Sequence, residues 1–210
     1  AVPGFNPDID RQALVEYFQW INVPSPMTIY EGVSKLPPAH FLRVGEPTGV
    51  VGPQPYWSAI EAARDAPPLS ADGDGVDQLC EVLDRSVGAQ MVSDVPLGAF
   101  LSGGIDSSSV VASMQRQSSV PVRTFTIGFS EPAYDESDHA AQVANVLGTN
   151  HTDLVVSPED AMRVIPDLPK TYDEPFADSS QIPTLLVSRM TRDHVTVALS
   201  GDGGDELFGG

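Results

Sequence analysis

The fold of this chain is decided by residues 94–108, which read DVPLGAFLSGGIDSS. The apolar run from Val95 to Leu101 has the length and composition of a buried strand. It breaks at Ser102-Gly103-Gly104, and apolar residues with helical spacing follow from Ser107 onward. A strand, a glycine turn and a helix start bring free backbone N–H groups and the positive end of a helix dipole to one point. Such a point favours phosphate binding.

This loop differs from two other phosphate-binding turns. The chain contains no Gly-Lys-Ser or Gly-Lys-Thr, so a Walker-type loop is excluded, and no Gly-x-Gly-x-x-Gly follows a strand. Residues Ser102–Ser108 instead resemble the pyrophosphate loop of ATP pyrophosphatases, enzymes that adenylate a substrate and release pyrophosphate. The alternative is a glycine turn with an ordinary serine cap. The full seven-residue pattern in its strand–helix setting favours the phosphate interpretation.

Composition and charge limit the possible functions. The chain has 210 residues, 41% of them hydrophobic, and a formal charge of −18, which argues against a nucleic-acid partner. Its apolar runs are too short for a membrane span and its first residues do not form a signal peptide, so we expect no membrane partner and a cytoplasmic location. The single cysteine, Cys80, excludes an intramolecular disulfide and a thiolate metal cage.

The acidic balance also affects how ATP can bind. Residues 94–110 contain no Lys or Arg, although ATP is itself highly anionic. Binding is therefore expected to depend on backbone dipoles and on magnesium, with Asp106 placed to hold the ion against the phosphates. Any cation that neutralises the leaving pyrophosphate must come from elsewhere in the fold.

The pattern along the chain predicts an α/β fold with a short N-terminal segment. Residues 1–58 read as a helix capped by an acidic residue and a β-hairpin, and residues 59–76 as a linker with a mobile loop at 66–75. A helix with one apolar face begins at Val76. The remaining predicted elements are a strand at 124–129, a helix at 137–147, a strand at 152–156, a helix from Ser157, a helix at 181–192 and a strand at 195–199. This alternation predicts a parallel sheet with helices on both faces and a ligand at the carboxyl ends of its strands.

A second glycine-rich motif follows the strand at 195–199. Residues Ser200–Gly210 read SGDGGDELFGG, a layout that matches the first loop. Two such strand ends side by side would enclose one nucleotide, and Asp205 could complete a magnesium site with Asp106. The alternative is a solvated acidic turn. A third acidic stretch, Asp173–Ser180, either lines the acceptor pocket or caps the helix that follows it, and both interpretations stay open.

Together these motifs, with the hairpin at Lys35–Val44, resemble the synthetase domain of glutamine-dependent asparagine synthetases. The resemblance implies an adenine-nucleotide alpha-hydrolase-like fold that activates the side-chain carboxylate of aspartate as an acyl-adenylate, after which ammonia displaces AMP. It implies the following roles. Pyrophosphate is bound by Ser102, Gly103, Gly104, Ser107 and Ser108; magnesium by Asp106 and Asp205; adenosine by the backbone of Leu101, Ile127, Ser200 and Gly201. Asp202, where many members carry glutamate, supports adenylate formation.

The resemblance also implies missing parts. We interpret residues 1–58 as the C-terminal remnant of a glutaminase domain whose cysteine nucleophile is absent here, and residues 77–210 as an ATP-binding domain truncated at its C-terminus. Members of the family continue beyond Gly210 and supply a lysine that acts on the adenylate and pyrophosphate. The fragment alone is therefore expected to be inactive, and its exposed edge to favour a homodimer.

Three alternatives remain. The first is the same AMP-forming amidotransferase chemistry on another carboxylate, such as a sugar acid or an antibiotic precursor. The second is a non-catalytic nucleotide-binding module. The third, an RNA-modifying adenylating enzyme, is disfavoured by the charge and the absence of paired cysteines.

Overall fold

A computed structural model describes residues 3–45, 49–67, 74–129 and 137–208 of the chain. The chain divides into two compact units, Ala1–Leu69 with Asp167–Ser179 and Ser70–Pro166 with Ser180–Gly210. Residues 68–73 of the predicted linker and the last two residues of the second glycine motif lie outside the described residues. The predicted domain boundaries remain predictions.

The first unit contains the predicted N-terminal helix and hairpin. Helix α1 (Arg11–Trp20) begins after Asp10, whose carboxylate accepts hydrogen bonds from the N–H groups of Gln12 and Ala13. Strands β1 (His40–Gly45) and β2 (Gly49–Pro55) pair antiparallel. Helix α2 (Ala59–Asp65) is capped by the Ser58 hydroxyl, so the first part of the predicted linker is helical.

The second unit is built on a four-stranded parallel sheet, as the alternating pattern predicted. Its strands are β3 (Leu97–Phe100), β4 (Arg123–Phe129), β5 (Asn150–Val156) and β6 (Val197–Leu199), in the order β5-β4-β3-β6. The helices that follow α2 along the chain are α3 (Asp74–Gln90), α4 (Ile105–Gln117), α5 (Ser137–Leu147), α6 (Pro158–Val164), α7 (Leu168–Thr171), α8 (Gln181–Thr191) and α9 (Gly204–Phe208). Helix α7 belongs to the first unit.

Helices cover both faces of this sheet. On one face, Val87 of α3, Met114 of α4 and Ala144 of α5 share a core with Ala99 of β3 and with Leu101, which follows that strand. On the other face α8 packs on β4. The chain passes from β3 through α4 to β4 on one side, whereas β6 pairs on the opposite side of β3. The strand order therefore reverses between β3 and β6, and open parallel sheets bind ligands in the crevice at such a point.

The structure corrects the predicted limits of several elements. Strand β6 begins at Val197 rather than at residue 195, and α8 ends at Thr191. Much of the apolar face predicted for α3 is exposed, since Val76, Leu79 and Val82 are 67%, 41% and 50% exposed, whereas Val87 is buried. Among the described residues, no helix combines the length and the apolar character that a membrane span requires.

Helices α3 and α4 are joined by a charged hydrogen-bond cluster. The Asp84 carboxylate on α3 accepts hydrogen bonds of 2.5 Å from both the Ser113 hydroxyl and the Arg116 guanidinium of α4. The side-chain amide of Gln117 donates to the Asp84 carbonyl at 2.9 Å. The hydrogen bond from Ser113, together with the Arg116 charge, lowers the pKa of Asp84 below its ordinary value of 3.8.

We predict that Asp84→Asn lowers the thermal midpoint at neutral pH by a few degrees, because the amide loses the charge that Ser113 and Arg116 bind. The folded-state pKa of Asp84 lies below its unfolded value, so the stabilisation is complete above pH 3.8 and is lost as the pH falls through the folded pKa. Thermal denaturation followed by circular dichroism should therefore show wild type and variant converging in acid. Glu81→Gln, an exposed position on the same helix, is the matched control and should leave the midpoint unchanged.

Candidate functional site

The first glycine loop leaves the carboxyl end of β3 through a turn that requires glycine. Gly103 has a φ of +82°, and a Cβ there would lie 2.9 Å from the backbone N of Ala140 in α5. Both the dihedral angle and the close approach exclude a side chain. The turn is thereby held against α5, and α4 begins two residues later at Ile105.

Two serine hydroxyls are hydrogen-bonded to each other across this loop. The Ser107 hydroxyl lies 3.0 Å from that of Ser102, accepts from the Ser102 N–H at 3.2 Å and donates to the Gly104 carbonyl at 3.3 Å. The Gly104 N–H in turn donates to the Ser102 hydroxyl at 3.3 Å. Ser107 is buried and Ser102 exposed, so the cluster presents one hydroxyl to solvent and holds the other in place.

Ser108 does not join this hydroxyl cluster. Its N–H donates to the Gly104 carbonyl within α4, and its buried hydroxyl has no hydrogen-bond partner among the described residues. The residue lines a groove of about 620 Å³ between α4 and α5, together with Gly103 and Val143. Ser107 thus already donates its hydroxyl hydrogen within the loop, whereas the Ser108 hydroxyl has no acceptor among the described residues.

The second glycine motif packs directly on the first. A Cβ at Gly201 would lie 2.6 Å from the backbone N of Ser107, and a Cβ at Gly204 would lie 2.3 Å from Asp106 Cγ. Within the motif, the Asp202 N–H donates to the Ser200 hydroxyl at 2.9 Å. Pairing of β3 with β6 brings these loops together, since Ala99 lies opposite Leu199 and both strands end at the same level.

Three carboxylates lie on the two loops. Asp106 is half-buried beside Gly204, whereas Asp202 and Asp205 are exposed. Within the described ranges, no hydrogen bond or ion pair engages any of these three side chains. The same part of the chain contains no group of three or more His, Cys, Asp or Glu side chains suited to a metal ion. One or two carboxylates are the protein ligands that usually hold Mg²⁺, with phosphate oxygens and water completing its shell.

A cleft of about 200 Å³ opens at the ends of β3 and β4. It is lined by Leu101 and Ser102 from the first loop, by Ile127 from β4, and by Pro183, Thr184 and Val187 from α8. The other lining residues are Phe100, Phe125, Thr126 and Phe129. The structure thus brings the predicted residues Leu101 and Ile127 together. The contribution of α8 was not predicted, because its apolar spacing does not distinguish a pocket wall from core.

The backbone of Ile127 faces this cleft. The last hydrogen bond between the two strands runs from the Leu101 N–H to the Phe125 carbonyl at 2.9 Å. Alternate residues of a strand direct their backbone groups to the same side, so Ile127 directs its N–H and carbonyl towards the side where β3 has ended. Among the described residues, no hydrogen bond joins Ile127 to Leu101.

The acidic stretch at 173–180 is engaged within the first unit. The Glu174 carboxylate pairs with Lys35 and accepts a hydrogen bond from the Ile29 N–H at 3.2 Å. Ser180 precedes α8 without a side-chain hydrogen bond to cap it. The predicted capping role is therefore not found for Ser180, and Glu174 has a structural partner that its local sequence did not reveal.

A family model and two curated relatives of the chain carry the same description. A family model described as asparagine synthase matches residues 78–210. The chain is 37% identical to asparagine synthetase [glutamine-hydrolyzing] 1 of Bacillus subtilis, over 97% of this chain and 31% of that protein. It is 38% identical to a putative asparagine synthetase [glutamine-hydrolyzing] of Mycobacterium tuberculosis, over 99% of this chain and 31% of that protein. The chain thus spans about a third of the length of these relatives.

A solved structure is also similar in part. The NH3-dependent NAD synthetase from Campylobacter jejuni, determined with a nitrate ion, aligns with a TM-score of 0.40 and 16% identity. The alignment covers 63% of this chain and 58% of that one. A likeness this weak assigns neither fold nor function.

We predict that Gly204→Ala weakens binding of ATP with magnesium by about tenfold or more, because the new methyl group would overlap the Asp106 carboxylate. The binding should be measured by isothermal titration calorimetry, with circular dichroism to verify folding. Gly52→Ala is the matched control, since a Cβ there meets nothing within 4 Å. Unchanged affinity in a folded Gly204→Ala protein would mean that the Asp106 position is not important for binding.

Proposed function

Because the chain belongs to the asparagine synthase family, we propose that it carries the ATP-binding part of a ligase that converts aspartate to asparagine. In this reaction the side-chain carboxylate of aspartate attacks the α-phosphorus of ATP and expels pyrophosphate, which leaves a β-aspartyl adenylate. Ammonia derived from glutamine then attacks the acyl carbon and expels AMP. The observation that supports this proposal best is the contact of two glycine motifs at the point where the strand order reverses.

The first loop is suited to the pyrophosphate. Its glycines expose backbone, its two bonded hydroxyls are already oriented, and α4 directs its positive end towards the same turn. We assign pyrophosphate binding to Ser102, Gly103, Gly104, Ser107 and Ser108, the last of which also lines the neighbouring groove. These groups stabilise the leaving pyrophosphate without any basic side chain from residues 94–110.

The cleft beside Ile127 is suited to adenine. Its volume of about 200 Å³ is below the 300–1,000 Å³ usual for a whole ligand, so it fits a base rather than a complete nucleotide. The Ile127 N–H can donate to the ring nitrogen of adenine while its carbonyl accepts from the exocyclic amine. We assign the adenosine to the backbone of Leu101 and Ile127 on one side, and to Ser200 and Gly201 on the other.

The carboxylates divide between metal binding and support of the reaction. Asp106 and Asp205 would hold Mg²⁺, which when bound supplies positive charge to the phosphates. Gly204 keeps the Asp106 carboxylate close to the second loop, so that both loops would contribute to one ion site. Asp202 is exposed beside Ser200, and we assign it the role of supporting adenylate formation. A cytoplasmic location and a homodimer remain predictions.

The proposal is tested by product analysis with the intact protein. Aspartate, ATP, magnesium and glutamine should give AMP, pyrophosphate and asparagine in equal amounts, measured by liquid chromatography and mass spectrometry. AMP formation only with another carboxylate would favour the related amidotransferase chemistry. ATP binding without any AMP would favour a non-catalytic nucleotide-binding module.

We expect Asp106→Asn to reduce this turnover by at least about a hundredfold, because the metal site loses its half-buried carboxylate. Magnesium-dependent ATP binding, measured by calorimetry, should fall with it. Asp94→Asn is the matched control: it removes the same charge from an exposed position before β3, at the opposite end of that strand. Equal losses in both variants would attribute the effect to net charge and contradict the metal assignment.

We also predict that ATP binds more tightly than GTP, by about tenfold or more. Guanine presents a ring N–H and an exocyclic oxygen where adenine presents an acceptor and a donor, so both hydrogen bonds to Ile127 would be mismatched. Competition of each nucleotide against a fluorescent ATP analogue measures the difference. Equal affinities would refute recognition of the base by the Ile127 backbone.

A further inference from the structure

One ion pair in the first unit holds a segment that is distant in sequence. Lys35 pairs with Glu174 and also donates to the Val23 carbonyl, while Glu174 accepts from the Ile29 N–H at 3.2 Å. The two side chains are only 32% and 21% exposed. Burial of this degree makes the pair more sensitive to the loss of either partner than a surface ion pair is.

Further bonds tie the same segment to the N-terminal part of the unit. The Ala177 N–H donates to the Ile21 carbonyl at 2.8 Å, and the Tyr30 hydroxyl donates to the Asp173 carbonyl at 3.4 Å. We call residues 173–179 the strap. Its anchors lie beside a small core of Ala13, Val23 and Ile29, so the strap is fixed to a packed part of the first unit.

The strap leads directly into a wall of the cleft. Residue 179 ends the first unit, and α8 begins at Gln181 in the second. Pro183, Thr184 and Val187 of this helix line the cleft assigned above to the nucleotide base. Only eight residues separate Glu174 from Pro183 along the chain. Release of the strap would therefore increase the conformational freedom of the segment that leads into the first turn of α8.

We propose that Lys35 and Glu174 are positioning residues, which couple the N-terminal unit to the nucleotide cleft through the strap and α8. The inference rests on the function proposed for that cleft. Loss of the pair increases the conformational freedom of the segment entering α8, and binding of the base must then restrict that freedom. The pyrophosphate loop lies on β3 and α4, so its own affinity is independent of the strap.

The test is calorimetric titration of the intact protein with magnesium–ATP and, separately, with magnesium–pyrophosphate. Lys35→Met should weaken ATP binding between about twofold and thirtyfold and leave pyrophosphate binding unchanged. Lys35→Arg should restore the affinity for ATP. Lys170→Met is the matched control, because Lys170 is 81% exposed in the same unit and lies 3.9 Å from Asp167.

Glu174→Gln provides an independent variant, since the amide oxygen can still accept from Ile29 while the charge is lost. Its effect should not add to that of Lys35→Met in the double variant. Equal losses for ATP and pyrophosphate would indicate general destabilisation and overturn the coupling. Unchanged ATP affinity in both single variants would overturn it as well. Failure of the wild type to bind ATP would instead refute the proposed function on which the inference rests.

Discussion

The candidate site depends on one close approach, that of the Gly204 backbone to the Asp106 carboxylate. A Cβ at Gly201 would overlap the backbone of the first loop, and a Cβ at Gly204 would displace the Asp106 carboxylate, so the two motifs are complementary surfaces rather than two separate turns. The approach is possible because β3 and β6 are neighbours in parallel register and end at the same level. A short edge strand with only three residues, β6, therefore has a large effect on the site.

For an acidic chain that is proposed to bind an anion, the backbone is one source of positive potential. The second unit contains no lysine, and several of its arginines already have partners: Arg116 binds Asp84, Arg163 binds Asp160 and Arg123 donates to the His194 carbonyl. The dipole of α4 and the N–H groups of the glycine turn are further sources at the first loop. The half-buried Asp106 carboxylate, which has no partner among the described residues, is consistent with the proposed divalent cation, which would add positive charge there.

Much of this arrangement could be predicted from local sequence. The strand, glycine turn and helix at residues 94–117 follow from hydrophobic periodicity and turn chemistry, which depend on neighbouring residues only. Helical phase distinguishes the two adjacent serines: α4 begins at Ile105, so the third helical residue, Ser107, reaches back to the loop, whereas Ser108 is turned by about 100° and lines the groove beside α5. The sequence showed two adjacent serines, but only the helix start determines which of them reaches back to the loop.

The strap illustrates the part of the fold that local sequence does not encode. Three carboxylates before a helix are typical of a helix entrance or a ligand pocket, and nothing within residues 173–180 indicates a partner at Lys35. The pairing arises because the chain leaves the second unit after α6, returns to the first for residues 167–179 and then re-enters the sheet at α8. The bonds that Glu174 and Asp173 accept from Ile29 and Tyr30 therefore join residues more than a hundred positions apart. Glu174 therefore has to be understood from the path of the chain, which brings its carboxylate to Lys35 and to the Ile29 N–H.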